Sequence, residues 1–239
     1  MSLLAPHRCF DPNCPELMDR PGIDRALLRE ELQTLEKFNQ RLGGHQLMLH
    51  YIKRFLGASE TASLSILDLG TGAADIPRAI VAWARQRKLS IVITAVDVNP
   101  IILQIAQELC RDWPEIRFEQ HDLRHLPYAG ESFDLVLCSH ALHHFESEDV
   151  VTILRHMDAL ARCGYIVNDL RRNWLAIASM ELLVRTLVRG LLARNDAVQS
   201  FRAAFTVGEL RGLAKQAGLN NSQVNRHHWC FRMVLEGRK

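Results

Sequence analysis

Residues 64–78 read Leu64-Ser-Ile-Leu-Asp-Leu-Gly-Thr-Gly-Ala-Ala-Asp-Ile-Pro-Arg78, and the fold is decided here. Ile66, Leu67 and Leu69 form a short apolar run that reads as a buried strand. Gly70-Thr71-Gly72 follows as a turn in which larger side chains would obstruct a ligand. Asp75 to Arg87 then has the composition of a helix. Strand, glycine turn and helix together bring backbone N–H groups close to a nucleotide-like ligand.

Outward from this unit the pattern alternates. Ile91 to Val96 is a β-branched run, hence a strand buried on both faces. Pro100 to Arg111 is helical, with proline in the permitted first turn. Ile116–Gln120, Phe133–Ser139 and Gly164–Val167 read as further strands, with a helix from Ser147 to Leu160. Repeated β–α units predict an α/β fold: a doubly wound, seven-stranded, mostly parallel sheet. Ser222–His227 and Trp229–Leu235 supply its antiparallel terminal pair. Before the first strand, helices are expected from Asp24 to Phe38 and from His45 to Leu56, the second stopped by Gly57. After the fifth, Trp174 to Leu192 reads as one long apolar helix ended by Asn195-Asp196. Thr206-x-x-Glu209 is a capping box. The division is therefore 1–60, a leader with a helical lid or platform, and 61–239, the main domain with a helical insertion at 171–205.

The 239 residues are 48% hydrophobic and 23% charged, an ordinary globular balance. A net charge of +2 gives no general attraction to polyanions, so nucleic acid is not an expected partner. The basic residues from Arg185 to Arg194 are interleaved with apolar ones and read as a solvated helix face. Residues 174–193 carry Glu181, Arg185 and Arg189, too many charges for a membrane span. Cys110, Cys138, Cys163 and Cys230 read as reduced core thiols, and cytoplasmic residence is the expectation. Cys9 and Cys14 have no second half-site in the sequence, so no metal is expected.

A glycine turn alone serves dinucleotide and S-adenosylmethionine pockets equally. Asp97, about 25 residues on at the end of strand two, can hold both hydroxyls of a ribose in either. The stretches that discriminate come later: Asp122-Leu123, Leu126-Pro127, Ser132-Phe133-Asp134-Leu135-Val136 and Ala141-Leu142-His143-His144-Phe145. Taken in this order and spacing, the chain resembles the class I S-adenosylmethionine-dependent methyltransferases, with a Rossmann-like fold. Pro15-Glu16-Leu17-Met18-Asp19, Gly70 to Pro77 and Val167 to Arg172 are similar to the quinone and phenolic-lipid, polyketide-associated group. The resemblance implies that Asp68 lies near the donor's amino group and that Gly70, Thr71 and Gly72 line its methionine part. It implies Asp97 at the ribose, Val98 beside the adenine, Asp122 and Leu123 at the adenine amino group and ring, and Ser139 at the methyl end. S-adenosylhomocysteine is then the product. Ala74 stands where the family usually has a third glycine.

The acceptor implied is a small hydrophobic molecule, aromatic, phenolic or quinone-like, from secondary metabolism. A phenol or hydroxyl needs a base, and His144, His143 and His140 follow strand four at the pocket mouth. His144 is the first choice, and Asp169 is a further candidate. The cluster tilts the expectation from carbon toward oxygen. Arg171-Arg172 could bind an acidic acceptor group; Trp174, Met180, Phe201, Phe205 and Trp229 could face it. The long apolar helix serves as acceptor wall, core or homodimer interface. Two other readings stand beside this one. A nicotinamide-dependent oxidoreductase shares the loop and Asp97 but would lack a Tyr-x-x-x-Lys pair, and a non-catalytic scaffold would have no need of Gly70, Gly72 and Asp97.

Overall fold

The computed structural model describes residues 5–20, 22–56, 63–187, 191–228 and 231–239; for 183–187 and 191–194 it describes the backbone only. Gly57, Trp229, Cys230 and the basic side chains from Arg185 to Arg194 lie outside what is described.

Seven strands, β1 (Leu64–Leu69), β2 (Ile91–Asp97), β3 (Ile116–Gln120), β4 (Phe133–Ser139), β5 (Ala161–Leu170), β6 (Gln223–His227) and β7 (Arg232–Arg238), form one sheet. Their order is β3-β2-β1-β4-β5-β7-β6. β1 to β5 pair in parallel, while β7 runs antiparallel to both β5 and β6. The helices are α1 (Arg25–Arg41), α2 (Gly44–Leu56), α3 (Asp75–Arg87), α4 (Pro100–Leu109), α5 (Ser147–Leu160), α6 (Trp174–Leu187), α7 (Leu191–Ala203) and α8 (Val207–Gln216). This is the class I methyltransferase architecture that the sequence implies, with β6 and β7 supplying the antiparallel edge.

The alternation along β1 shows why both faces are covered. Leu67 and Leu69 pack with α5 and α8, whereas Ile66 packs with α2 and α3. Each such fully buried aliphatic side chain contributes roughly 1.5–3 kcal/mol. Local signals set the helix starts: the Asp24 carboxylate accepts from the Ala26 and Leu27 N–H groups, Asn99 does the same for α4, and Thr206 with Glu209 closes the expected capping box.

Two outcomes differ from the sequence reading. The apolar segment after β5 is two helices, and Asn195-Asp196 lies inside α7 instead of ending a helix. Asp196 has other work: its carboxylate accepts from the Leu17 and Met18 N–H groups, which outweighs its indifferent helix propensity. Cys163 is exposed, because the start of β5 runs out of the core; Cys110 and Cys138 are buried as expected.

The leader is fastened across the carboxyl ends of the parallel strands. Arg8 donates to the carbonyls of Ala203, His143 and Phe145 and lies over the Phe205 ring. Burial beside Arg172 lowers its pKa to about 10, still a cation. Arg172 donates to the Pro6 carbonyl and Cys9 N–H to the Arg202 carbonyl. Arg172 is itself buried against Glu209 and the Ala204 carbonyl, so it anchors the leader instead of meeting an acceptor. Among the described residues, no helix is long and apolar enough to cross a membrane.

Candidate active site

The strand order reverses between β1 and β4, and ligands of such sheets lie at the carboxyl ends beside that point. A cavity of about 780 Å³ opens there, under the leader, α1 and α7.

One end is built by the glycine loop. Gly70, Gly72 and Ala74 have positive φ of 68°, 54° and 56°. Ala74 thus adopts the left-handed conformation that the family's glycine would, at a cost of about 1–2 kcal/mol. A Cβ on Gly70 would lie 2.7 Å from the Ala141 Cβ, so β4's extension closes against the loop. At Gly72 an added Cβ would meet nothing within 4 Å: the loop is an open cradle. Asp97 Oδ2 accepts from Gly72 N–H and Oδ1 from Asn99 N–H, both at 3.0 Å. Each oxygen keeps a second lone pair for a ribose hydroxyl. Burial raises the pKa of Asp97, opposed by those two N–H groups. Val98, 58% exposed, and buried Leu123 flank the space expected for adenine.

Of the expected donor contacts, Asp68, Gly70, Thr71, Gly72, Asp97, Val98, Leu123 and Ser139 all line the cavity. Asp122 does not. Its carboxylate is held by Arg124 at 2.6–3.1 Å, and Arg124 takes the place on the wall. Sequence spacing puts Asp122 at the right point of the chain but is silent on the rotamer that an arginine two residues on selects.

Asp68 is fully buried. Burial pushes its pKa to about 7, with Asp75 and Asp97 adding repulsion and Thr71 opposing it. A carboxyl whose folded pKa is raised stabilises the fold most while protonated, and that stability is lost as pH rises from about 4 through 7. The melting temperature of the ligand-free protein, relative to that of Asp68→Asn, is therefore expected to fall between pH 5 and pH 7.5. A flat difference across that range would remove the assigned burial effect.

The histidines line the same cavity, and here the order of candidates changes. His144 Nδ1 lies 3.0 Å from Asp19 Oδ2. Burial alone would lower its pKa, but Asp19, Glu16 and Asp169 raise it to about 9. A histidine cation has no lone pair for a proton, so His144 is not suited as the base. His140 lies in the left-handed region at the end of β4, and its Nε2 faces the Arg232 guanidinium. Burial and that arginine hold its pKa well below 6.5, and its lone pair is already engaged. His143 is different. Its Nδ1 is 2.7 Å from Asp169 Oδ1, and Asp169 Oδ2 also accepts the His143 backbone N–H. Burial would raise Asp169, yet His143 overrides it and brings the pKa to about 2. Asp169 is thus an ionised partner, not a base. A carboxylate on Nδ1 fixes the tautomer with the lone pair on Nε2, the arrangement of a general base.

Glu16, Ser200 and Arg232 also line the cavity, and sequence reading missed them as site residues. Glu16 sat in the quoted Pro-Glu-Leu-Met-Asp stretch, which was a usable signal; Ser200 and Arg232 gave none. Of the expected acceptor-facing groups, Met180 and Phe201 reach the wall, joined by Phe10, Leu35 and Phe38. Phe205 is buried beneath Arg8, and Trp174 points to solvent with 61% exposure.

Residues 66–164 match the family model described as a methyltransferase domain. The chain carries a class I methyltransferase domain. The domain makes it an enzyme. Solved structures of the same fold include an S-adenosylmethionine-dependent methyltransferase from Aquifex aeolicus, at 13% identity and a TM-score of 0.61, covering 90% of this chain and 98% of that one. The plantazolicin methyltransferase BpumL, in complex with S-adenosylhomocysteine, matches at 13% identity and 0.64, with 90% and 95% covered. Magnesium protoporphyrin IX methyltransferase from Synechocystis PCC 6803, also with bound S-adenosylhomocysteine, matches at 17% and 0.56, with 90% and 100% covered. No curated protein matches the chain.

Proposed function

We propose that this methyltransferase acts on an oxygen of a small, hydrophobic, aromatic or phenolic acceptor, of the polyketide or quinone kind. The His143–Asp169 pair carries the reading. His143 lines the cavity whose wall also holds Phe10, Phe38, Met180 and Phe201, and Asp169 is bonded to its ring. An apolar wall with one oriented base suits a flat, weakly acidic molecule better than a macromolecule. A carbon acceptor with an acidic C–H would use the same imidazole.

The residues present fit the donor. The open cradle at Gly72 and the spare lone pairs of Asp97 would hold its methionine and ribose parts, with Asp68 toward the amino group and Val98 and Leu123 beside the adenine. When bound, the donor supplies a methyl group on a positively charged sulfur. His143 takes the acceptor's proton at Nε2, and Asp169 stabilises the imidazolium that results. The leader and the insertion exclude water, which would otherwise solvate the acceptor anion and weaken it as a nucleophile. Residues 1–60 and 171–205 therefore serve as cover and acceptor wall for the methyltransferase domain.

A cofactor titration comes first. S-adenosylhomocysteine should raise the melting temperature in a concentration-dependent way, and NAD or NADP should not. Stabilisation by a nicotinamide cofactor alone would overturn the donor assignment. A panel of phenols, quinols and polyketide lactones with methyl-labelled donor then tests the acceptor class, which label confined to protein or nucleic acid would refute.

A further inference from the structure

Apart from its place beside Asp169, His143 has a second neighbour. Its Nε2 lies 3.9 Å from Glu16 Oε1, and the His144 ring lies against it with centroids 4.3 Å apart. Glu16, His143 and His144 each offer a ligand atom, and the three atoms lie within 4.8 Å of one another. Glu16 and His143 are buried; His144 is partly open to the cavity. With Asp169 on Nδ1, the His143 ring turns Nε2 toward a carboxylate oxygen of Glu16. A cation seated between these two atoms would be held by both. Ser200 O–H, from α7, donates to the same Oε1 at 2.5 Å.

We propose that Glu16, His143 and His144 form a three-ligand site for one divalent cation of the zinc class. Tetrahedral ligands on bonds of about 2.1 Å stand about 3.4 Å apart, so the Glu16–His143 separation of 3.9 Å closes by about half an ångström around an ion, and the third ligand, within 4.8 Å, moves by up to about 1.4 Å. The outer contacts have the pattern of metal-binding histidines. Asp169 holds Nδ1 of His143 and Asp19 holds Nδ1 of His144, so the metal would take Nε2 of each ring and displace the proton that His144 carries there. Three carboxylates, Glu16, Asp19 and Asp169, gather around two imidazoles. Arg8 spends its donors on the carbonyls of Ala203, His143 and Phe145, and Arg232 faces His140. Imidazole and carboxylate together select zinc, cobalt or nickel over magnesium.

The site rests on these side chains alone, not on the donor or acceptor reading. Its consequence for that reading is an inhibitory one. A cation on Nε2 takes the lone pair that would accept the acceptor's proton, so metal and methyl transfer exclude each other.

The test is titration of the full-length protein, stripped of metal, with cobalt(II), followed by visible absorption. One equivalent should bind with the intense bands of a low-coordinate nitrogen–oxygen site, and zinc should displace it. Glu16→Gln and His144→Gln should each weaken binding at least about tenfold, while affinity for S-adenosylhomocysteine, measured by calorimetry, stays at the wild-type value. Absence of cobalt binding in the wild-type protein, or equal affinity in both variants, would overturn the site. X-ray absorption on the wild-type cobalt complex makes the result independent of how the variants fold. Imidazole nitrogen in the first shell supports the assignment; sulfur, from Cys9 or Cys14, or oxygen alone refutes it. Failure of S-adenosylhomocysteine to bind the wild-type protein would count against the proposed function and leave the cation site untouched.

Discussion

Asp97→Ala is expected to weaken binding of S-adenosylhomocysteine by about a hundredfold or more in calorimetry. Each oxygen of Asp97 receives one backbone N–H and retains a lone pair facing the cavity. A hydrogen bond to a charged group contributes about 1.5–3 kcal/mol, so two ribose hydroxyls account for about 3 kcal/mol, or two factors of ten. The same carboxylate ties the glycine loop, through Gly72, to the start of the segment after β2, through Asn99. Removing it loosens the cradle as well as the contact. Asp97→Asn separates the two effects. Its amide oxygen keeps one acceptor position, and the loss should be about tenfold, with the melting temperature near wild type. Wild-type affinity in Asp97→Ala would end the ribose assignment.

His143→Ala is expected to lower turnover by about 10²–10⁴-fold on the acceptor found in the labelled-donor panel, the usual range for a lost general base. Affinity for S-adenosylhomocysteine should not change, since Asp97 is oriented by Gly72 and Asn99 and not by His143. Asp169→Asn should reproduce much of the loss, because an amide does not hold the tautomer that leaves Nε2 free. His144→Ala should cost far less, as His144 already carries a proton shared with Asp19. A larger loss on removing His144 than on removing His143 would restore the order that the sequence suggests. Equal loss of donor affinity and turnover would make His143 structural.

The donor end was legible because its chemistry is written in contiguous residues. Gly70 and Gly72 announce the positive φ that the loop needs, and Asp97 falls where a βαβ unit must place a carboxylate. Even the departure at Ala74 could be read: alanine is small enough to take the left-handed turn that glycine takes freely. The acceptor end was only half legible. That a histidine follows β4 is visible, but which of three keeps a lone pair depends on Asp19, Asp169 and Arg232. These lie 125, 26 and 92 positions away from His144, His143 and His140, respectively, by the numbering of the chain. Local pattern carries no information on such pairings. Asp122 lies off the cavity wall for the converse reason: a neighbour close in sequence, Arg124, holds its carboxylate. The apolar run after β5 was read as one helix because periodicity does not show that Asp196 would be recruited to cap the leader.

That recruitment stitches the leader to the insertion that follows β5. The leader is held by polar contacts to Asp196, Ser200 and Arg172 and through its own Arg8, and several of them are buried. A molecule that enters beneath this strap would have to part them, while the sheet behind holds the glycine loop in place through Asp97.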